Sequence, residues 1–443
     1  MRRYSITILI ILFAAISGNN IRAQIKNNGA IGSVTIDGKI WNQIAMRPLV
    51  PIGKFAVAFD LVIYFDAEGK VLSEGWDFSS ASSIKNTLID KIYYIKYGNP
   101  GEATYVRIGA LDRVDIGYGV LVNGYSNSLL YPQDRKVGLT IEKNNQNIKF
   151  KAFINDLKEN AGVFGGRIQT NAIMGIPFGV TFVTDRNQYL GLKDSDNDGR
   201  PNIVDDFPYN KKWWLDTDGD GLSDYDPNEW DVDGDGITDT LDSRIPGYVG
   251  DPLVLDDTII KKDEPINVNK DSDRIMAIAI DLGYPLVKNK NYSLTIYSQA
   301  AQMVGRVLNP ETKKIENLGI GIIPFGITSH FGLLKFKFEY RLIPNGRFEF
   351  DYWNRLYEIE RISFARNNSN QILLRTKESS LGKYGEQRGY FSGASIDLGG
   401  LLLANFSYND MRGNLWSVKD GQFMETNNQT FLSSLSLKKG FSR

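Results

Sequence analysis

Residues 334–342 read Leu-Lys-Phe-Lys-Phe-Glu-Tyr-Arg-Leu, and this stretch is the clearest strand pattern in the chain. Apolar residues alternate strictly with charged ones along it. Because successive side chains of a β-strand point to opposite faces, the stretch predicts a strand with one apolar and one charged face. The turn Pro344-Asn345-Gly346 follows, and the alternation resumes over 348–352. The pattern therefore predicts a β-hairpin spanning 334–352.

The same alternation recurs through most of the chain. It predicts further strands near 106–110, 137–142, 148–154 and 292–296, and the best candidate for a short helix is 82–95. Aromatic residues make up 12% of the chain, and 43 of its 443 residues are glycine. This composition is typical of an all-β protein with many tight turns.

The start of the chain has the layout of a secretory signal peptide. Arg2 and Arg3 precede an apolar run over 6–16, which is too short to span a membrane as a helix. We expect cleavage after Ala23, with cleavage after Gly18 or an uncleaved anchor as the alternatives. The chain has no cysteine and therefore no disulfides. Its formal net charge of -1 indicates no nucleic-acid partner.

Two architectures bury strands of this kind. A soluble β-sandwich or solenoid packs the apolar face into a core, whereas a transmembrane barrel turns it towards lipid and the charged face inwards. The signal peptide, the missing cysteine and the alternation of short with long connections favour an antiparallel transmembrane β-barrel. We expect barrel strands in 24–185 and 273–443, separated by an insertion over 186–272. The order of the connections places this insertion outside the cell.

The insertion carries three copies of the pattern D-x-D-x-D-G, which begin at Asp194, Asp216 and Asp231. Alternate carboxylates place oxygen atoms on one side of a tight loop, and the glycine permits the turn that closes it. Hard oxygen ligands in a flexible loop suit Ca²⁺. The predicted ligands of this Asp-rich calcium-binding loop are Asp194, Asp196, Asp198, Asn202, Asp205, Asp216, Asp218, Asp220, Asp224, Asp231, Asp233, Asp235, Asp239 and Asp242.

The second copy departs from the other two. It has Pro227 at position twelve, where the first and third have Asp205 and Asp242, so it binds calcium more weakly or borrows a ligand. Prolines interrupt the flanks and no glutamate stands at position twelve, which argues against an EF-hand pair. The alternative is a solvated, disordered acidic loop, because residues 194–242 hold 15 aspartates and one glutamate against three basic residues.

Two resemblances follow from these residues. The array over 194–242 resembles the thrombospondin type 3 calcium repeat, although it lacks the cysteines of the vertebrate form. The strand-rich remainder, including Gly117-Tyr118-Gly119, resembles Gram-negative outer-membrane β-barrel proteins without sharing a diagnostic motif. Such barrels usually end in an aromatic residue, whereas this chain ends in Ser442-Arg443. The second resemblance implies a porin-like protein at the cell surface, surrounded by outer-membrane lipid.

No catalytic constellation is evident, and we expect no enzyme activity. His330 is the only histidine, and the chain contains no G-x-S-x-G motif. The expected function is a channel or passive transporter with an outer loop ordered by calcium. One alternative is a surface-structural or adhesion protein that binds a glycan or a protein, and another is a soluble secreted calcium-binding β protein.

Overall fold

The computed structural model divides into two compact units. It describes residues 26–36, 39–70, 80, 87, 91–131, 134–158, 161–173, 175–234, 236, 238–239, 261–289, 291–366, 372–398 and 402–437. The sheet unit comprises Met1–Thr184, Met276–Tyr357 and Leu381–Arg443, and the insertion unit comprises Asp185–Ile275 and Glu358–Ser380. The predicted insertion 186–272 falls in the second unit. No sequence pattern indicates that Glu358–Ser380 also belongs to it.

A sheet of 17 strands dominates the structure. These strands are β1 (Lys26–Ile36), β2 (Lys39–Ile52), β3 (Phe55–Phe59), β4 (Leu61–Phe65), β5 (Ile92–Tyr97), β6 (Thr104–Gly109), β8 (Gly138–Asn144), β9 (Ile148–Ile154), β10 (Val163–Ile173), β11 (Ile176–Asp185), β12 (Ile275–Lys288), β13 (Tyr292–Val304), β16 (Ile320–Phe331), β17 (Leu334–Ile343), β21 (Tyr384–Leu398), β22 (Leu402–Ser417) and β23 (Gln422–Leu437).

The remaining elements are short. They are the strands β7 (Val122–Asn123), β14 (Arg306–Leu308), β15 (Ile315–Asn317), β18 (Trp353–Asn354), β19 (Ile362–Arg366) and β20 (Ile372–Thr376), the helix Tyr357–Glu360, and the 3₁₀-helices Gln188–Gly191 and Glu378–Lys383. Of the helices in the described ranges, none is long and apolar enough to cross a membrane. The predicted helix over 82–95 is wrong at its end, because residues 92–95 belong to β5, and most of its remainder lies outside the described residues.

The large sheet is an antiparallel meander, which confirms the predicted all-β class. Each described pairing within it is antiparallel and joins strands that follow one another along the sheet. β3 and β4 pair with successive parts of β2 and form one strand interrupted at Asp60. The sheet therefore has 16 strands when β3 and β4 are counted as one. Because this number is even, the first and the last strand, β1 and β23, run in opposite directions. Among the described pairings, none joins β1 to β23.

The connections between these 16 strands alternate in length. Every second connection is short, whereas six of the eight others are longer. The short set comprises 53–54, 98–103, 145–147, 174–175, 289–291, 332–333 and 399–401. The other set comprises 37–38, 66–91, 110–137, 155–162, 186–274, 305–319, 344–383 and 418–421. Because alternate connections of a meander lie at opposite edges, the short connections all belong to one edge of the sheet.

The two faces of the sheet have reversed polarity, in that the apolar face is exposed and the polar face is buried. The strand β12 shows this most clearly. Ile280 is 50% exposed, and Ile278, Leu282 and Tyr284 on the same face are equally accessible. Asp281, between them in sequence, is only 2% exposed, and the small Ala279 is buried beside it. A sheet that folds against a soluble core shows the opposite arrangement, with apolar residues buried and charges in water.

The stretch 334–342 shows the same arrangement of exposed apolar and buried charged residues. Glu339 and Arg341 are buried, while Leu334 and Phe336 on the apolar face are exposed. The prediction that the charged face lies inside is therefore confirmed for the second half of β17. Glu339 accepts hydrogen bonds from Tyr297 (2.7 Å) and Arg341 (2.8 Å) and an ion pair from Lys337 (2.8 Å), so its buried charge is compensated.

The predicted second arm of the hairpin is wrong. Instead of pairing with residues 348–352, β17 pairs with β21. The chain leaves the sheet after β17 because Gly346, Arg347 and Asp351 all have positive φ angles, which interrupt an extended strand. Phe348, which alternation places on a strand, is buried and packs against Gly321 of β16.

Two segments fill the buried side of the sheet. We call Leu111–Asn127 the crossing segment and Phe348–Trp353 the second inner segment. They meet where β7 pairs in parallel with β18. The crossing segment reaches β13, where the rings of Tyr118 and Tyr297 stack 4.0 Å apart, and β17, where Lys337 Nζ donates to the Tyr118 carbonyl at 2.6 Å. The interior of the sheet unit is therefore partly packed.

Candidate metal centre

The first repeat folds into a tight loop that gathers its three alternate carboxylates. Oxygen atoms of Asp194, Asp196 and Asp198 lie within 4.8 Å of one another. The loop is held by backbone N–H groups, because Asp194 accepts hydrogen bonds from Asn197 (2.8 Å) and Gly199 (2.9 Å). Such turns between an acidic side chain and its own backbone explain why Asp stands at these positions.

The second repeat has the same geometry. Oxygen atoms of Asp216, Asp218 and Asp220 also lie within 4.8 Å of one another, and Asp216 accepts hydrogen bonds from Gly219 (2.7 Å) and Gly221 (3.0 Å). Gly221 has a φ of +95°, as has Gly199 at the same position of the first repeat, so both turns need the left-handed region that glycine tolerates.

The third repeat is described only in part. Asp231 accepts a hydrogen bond from Gly236 at 2.9 Å, as the first aspartate does in the other two copies, and its second oxygen is buried without a hydrogen-bond partner. Asp233 lies in the turn between them. Asp235 and Asp242, which the sequence predicts as ligands, lie outside the described residues.

The residues at position nine close the loops. Asn202 accepts a hydrogen bond from the N–H of Ser195 (2.8 Å), Asp224 from that of Thr217 (2.7 Å) and Asp239 from that of Val232 (3.1 Å). Each of the three also donates its own N–H to the carbonyl of the residue that precedes its loop. These three residues therefore share a structural role, which their equal position in the three repeats indicates. That they also bind the ion stays a prediction.

Asp205, at position twelve of the first repeat, supplies an independent sign of a cation site. It is only 7% exposed, and its Oδ2 has no hydrogen-bond partner. Burial, together with the nearby charges of Asp198 and Asp196, raises the pKa of Asp205 to about 6. Asp196 and Asp198 each add a buried Oδ2 without a hydrogen-bond partner, and Arg200 Nη1 lies 3.6 Å from that of Asp198. Buried carboxylate oxygens of this kind require a counter-charge.

The donor set of the first repeat fits calcium. Asp194, Asp196, Asp198 and Asp205 are hard oxygen donors from one short loop, and three of them present oxygens that no hydrogen bond satisfies. Ca²⁺ accepts six to eight oxygens at flexible angles, whereas Mg²⁺ requires a stricter octahedron. A bound ion would neutralise carboxylates that otherwise repel one another.

Sequence reasoning missed a second segment of the chain that lies beside this loop. Residues 267–271, which we call the return segment, pack against Gly199. The signal was available, because oxygen-bearing residues alternate at Asn267, Asn269, Asp271 and Asp273. A buried arginine of the insertion unit, Arg361, was also missed, and its distance in sequence leaves no local signal.

The lone histidine has an ordinary position. His330 lies on β16 opposite Ser293 of β13 and Lys335 of β17. The expectation that the chain is not an enzyme remains a prediction.

Comparisons with known proteins give distant structural similarities only. No protein-family model and no curated protein matches the chain. OccK5 (OpdH) of Pseudomonas aeruginosa is similar with a TM-score of 0.36 and 8% identity, over 93% of this chain and 86% of that one. OmpT of Vibrio cholerae has a TM-score of 0.32, 6% identity, and coverages of 93% and 95%. The outer-membrane channel DcaP of Acinetobacter baumannii has 0.32, 9%, and again 93% and 95%. With TM-scores below 0.5, these similarities support no conclusion about function.

Proposed function

We propose that this chain is an outer-membrane β-barrel protein of the channel type, whose insertion is folded by calcium. The reversed polarity of the sheet carries the proposal. An exposed apolar face opposite buried charges suits lipid outside and a polar lumen inside. The long strands support it, since about 9–11 residues cross a bilayer and β12, β21, β22 and β23 each exceed this length.

The alternation of connection lengths adds support for both the membrane and the orientation. Outer-membrane barrels have short turns on the periplasmic side and longer loops outside the cell. The 186–274 connection belongs to the long set, so the calcium repeats would face outwards. The number of strands, 16, is even, as in single-chain bacterial barrels. Pairing of β23 with β1 would close the barrel.

Replacing Ile280 by arginine tests the lipid contact. At a lipid-facing site near the bilayer centre, we expect Ile280→Arg to cost about 2–4 kcal/mol of folding free energy in vesicles. In water, a substitution at so exposed a position costs no more than about 0.5 kcal/mol. The matched control is Ile315→Arg, because Ile315 is equally apolar and 71% exposed but lies in a long connection. Equal urea midpoints for the two variants would contradict a membrane barrel.

A small charged cavity in the sheet unit bears on the proposed channel. A cavity of about 240 Å³ lies between the crossing segment and the strands β8, β9 and β10. Its lining includes Asp115, Glu142, Lys149, Lys151 and Arg167. Lys151 pairs with Glu142 at 2.8 Å, and Arg167 pairs with Asp281 at 2.6 Å. A lining of paired charges gives ions a polar path beside the packed inner segments.

A second candidate is a surface-structural or adhesion protein, in which the barrel displays the calcium repeats to a glycan or a protein. The packing of the inner segments favours it, since Tyr125, Tyr352 and Trp353 are fully buried on the side where a channel needs water. Conductance in planar bilayers separates the two candidates, because a display protein conducts no ions.

Weakening the contact between the crossing segment and β13 tests the channel directly. Tyr118→Ala removes the ring that stacks on Tyr297, so we expect a larger single-channel conductance than in the unaltered protein. Tyr209→Ala is the control, because Tyr209 is 81% exposed in the insertion unit. If neither the unaltered protein nor Tyr118→Ala conducts, the display candidate replaces the channel.

Calcium would fold the insertion unit by neutralising its aspartates. Extracellular modules of this type bind Ca²⁺ with dissociation constants on the order of 10⁻⁴–10⁻³ M. At about 10 mM free calcium, one such site stabilises the folded form by about 1.4–2.7 kcal/mol. Calorimetric titration of the full chain tests this binding, and the absence of a calcium-dependent heat would exclude it.

A further inference from the structure

We propose that calcium binding at the first repeat is coupled to the joining of two distant pieces of chain, through the return segment, Asn187 and Arg361. The coupling rests on the proposed calcium binding and adds a consequence to it. The linked pieces are Asp185–Ile275 and Glu358–Ser380, which together form the insertion unit. Each step of the path is a hydrogen bond or a close packing contact within this unit.

The first step joins the calcium loop to the return segment. Val268 N–H donates to the carbonyl of Gly199 at 2.8 Å. A Cβ at Gly199 would lie 2.4 Å from Asn269 Nδ2 and 2.7 Å from Asn267 Oδ1, so the return segment presses directly on the turn. The corresponding Gly221 and Gly236 of the other repeats have open space at this place. Among the described residues, this packing on the turn glycine is found at the first repeat alone.

The second step joins the return segment to Asn187. The side-chain Nδ2 of Asn187 donates to the carbonyls of Val268 and Asp271, both at 3.0 Å. Its Oδ1 accepts from the N–H of Tyr189 at 3.1 Å. Asn187 is only 6% exposed, so these bonds are shielded from water and a lost partner would be costly.

The third step joins Asn187 to the second piece of chain. Arg361 is fully buried, and its Nη2 donates to the Asn187 carbonyl and to Asp185 Oδ1, both at 3.1 Å. Its Nη1 donates to Glu358 Oε2 at 3.1 Å. The guanidinium packs so closely on Gly191 that a Cβ there would lie 2.7 Å from Arg361 Cδ. Arg361 thus ties Glu358 and its neighbours to the residues that hold the return segment.

The coupling has a defined sign. Calcium fixes the turn from Asp194 to Gly199, and this turn presents the Gly199 carbonyl to Val268. Whatever stabilises the docked return segment therefore raises calcium affinity at the first repeat. By thermodynamic reciprocity, calcium stabilises the docked segment and the Arg361 tie by the same factor. The result would be a calcium-dependent lock between Asp185–Ile275 and Glu358–Ser380.

Hydrogen exchange of the full chain in vesicles, measured against free calcium, tests the lock. We expect the amides of 194–205 and those of 358–366 and 372–378 to become protected with one shared calcium midpoint. Gly199→Ala forces a Cβ into Asn269, so we expect it to raise the midpoint at 194–205 at least about tenfold, within the usual range of coupling factors. We also expect it to remove the calcium dependence of 358–378.

Gly221→Ala is the matched control. It imposes the same backbone strain at the same position of the second repeat, where no described residue lies within 4 Å of the added Cβ. It should raise the midpoint at 216–227 and leave the shared midpoint of the first repeat and 358–378 in place. Equal effects of the two variants on 358–378 would overturn the lock.

The two levels of proposal fail in different ways. If calcium protects 194–205 in the unaltered protein while exchange at 358–378 ignores it, the lock is wrong and calcium binding stands. If calcium changes exchange at neither place, calcium binding itself is wrong.

Discussion

Replacing Glu339 by glutamine is expected to destabilise the sheet unit by about 3–5 kcal/mol, the usual cost of leaving a buried charge uncompensated. Glu339 is fully buried between Lys337 and Arg341, and Arg341 also pairs with Asp351 at 3.0 Å. The four groups balance as two positive and two negative charges. Glu339→Gln keeps the shape of the side chain but leaves one positive charge in excess. Urea unfolding of the protein in vesicles, followed by tryptophan fluorescence, measures the loss.

Two further variants make this result interpretable. Lys335→Gln is the control, since Lys335 belongs to the same face of β17 but is exposed, and we expect a change within about 0.5 kcal/mol. Adding Arg341→Met to Glu339→Gln restores the balance of charge, so the double variant should recover part of the lost stability. A loss below about 1 kcal/mol for Glu339→Gln would mean that the charged face is in contact with water.

Chelating calcium is expected to open the insertion unit to protease. With two sites occupied at about 10 mM free calcium, the stabilisation sums to about 3–5 kcal/mol. Cleavage that follows the population of the open form should then accelerate at least about 100-fold on chelation. The informative bonds follow Lys193, directly before the first repeat, and Lys211 and Lys212, between the first and second repeats. Mass spectrometry of trypsin fragments gives the rates.

Two controls accompany the chelation experiment. Magnesium at the same concentration should not restore protection, because its stricter geometry does not suit these loops. The variant Asp196→Asn should raise the calcium concentration needed to protect the bond after Lys193. Unchanged fragment patterns with and without calcium would show that the unit folds without the ion.

The same cleavage on intact cells reports the side of the membrane. Fragments that appear from whole cells only after chelation would place the repeats outside. Fragments that appear only once the outer membrane is opened would place them in the periplasm, against the order of the connections, and would favour a spacer or contact role there.

The alternation in 334–342 predicted a strand and its two faces. Side chains of a strand alternate between its faces whichever of the two faces is buried. The same reasoning failed over 348–352, where the alternation is equally regular. There, positive φ angles at Arg347 and Asp351 turn the chain inwards, and neither residue type announces this geometry. Local pattern describes a strand well, but it does not say where the chain leaves the sheet.

The candidate metal centre shows a similar division. The three loops could be predicted because their ligands and turn glycines lie within a few residues of each other. Arg361 could not be predicted, since its partner Asp185 lies 176 residues away in sequence. A single arginine in a strand-rich region has no pattern that distinguishes a buried tie from an exposed side chain.

The ends of the insertion have a consequence for how the sheet assembles. Gln188 N–H donates to the Asp273 carbonyl at 2.9 Å, and Asp273 N–H donates to Asn187 Oδ1 at 3.3 Å, so the folded insertion begins and ends at one place. An unfolded connection over 186–274 costs roughly 3 kcal/mol more loop-closure entropy than a four-residue turn. The folded insertion holds its own two ends together as a tight turn would, so the cost of closing this long connection falls on the folding of the insertion.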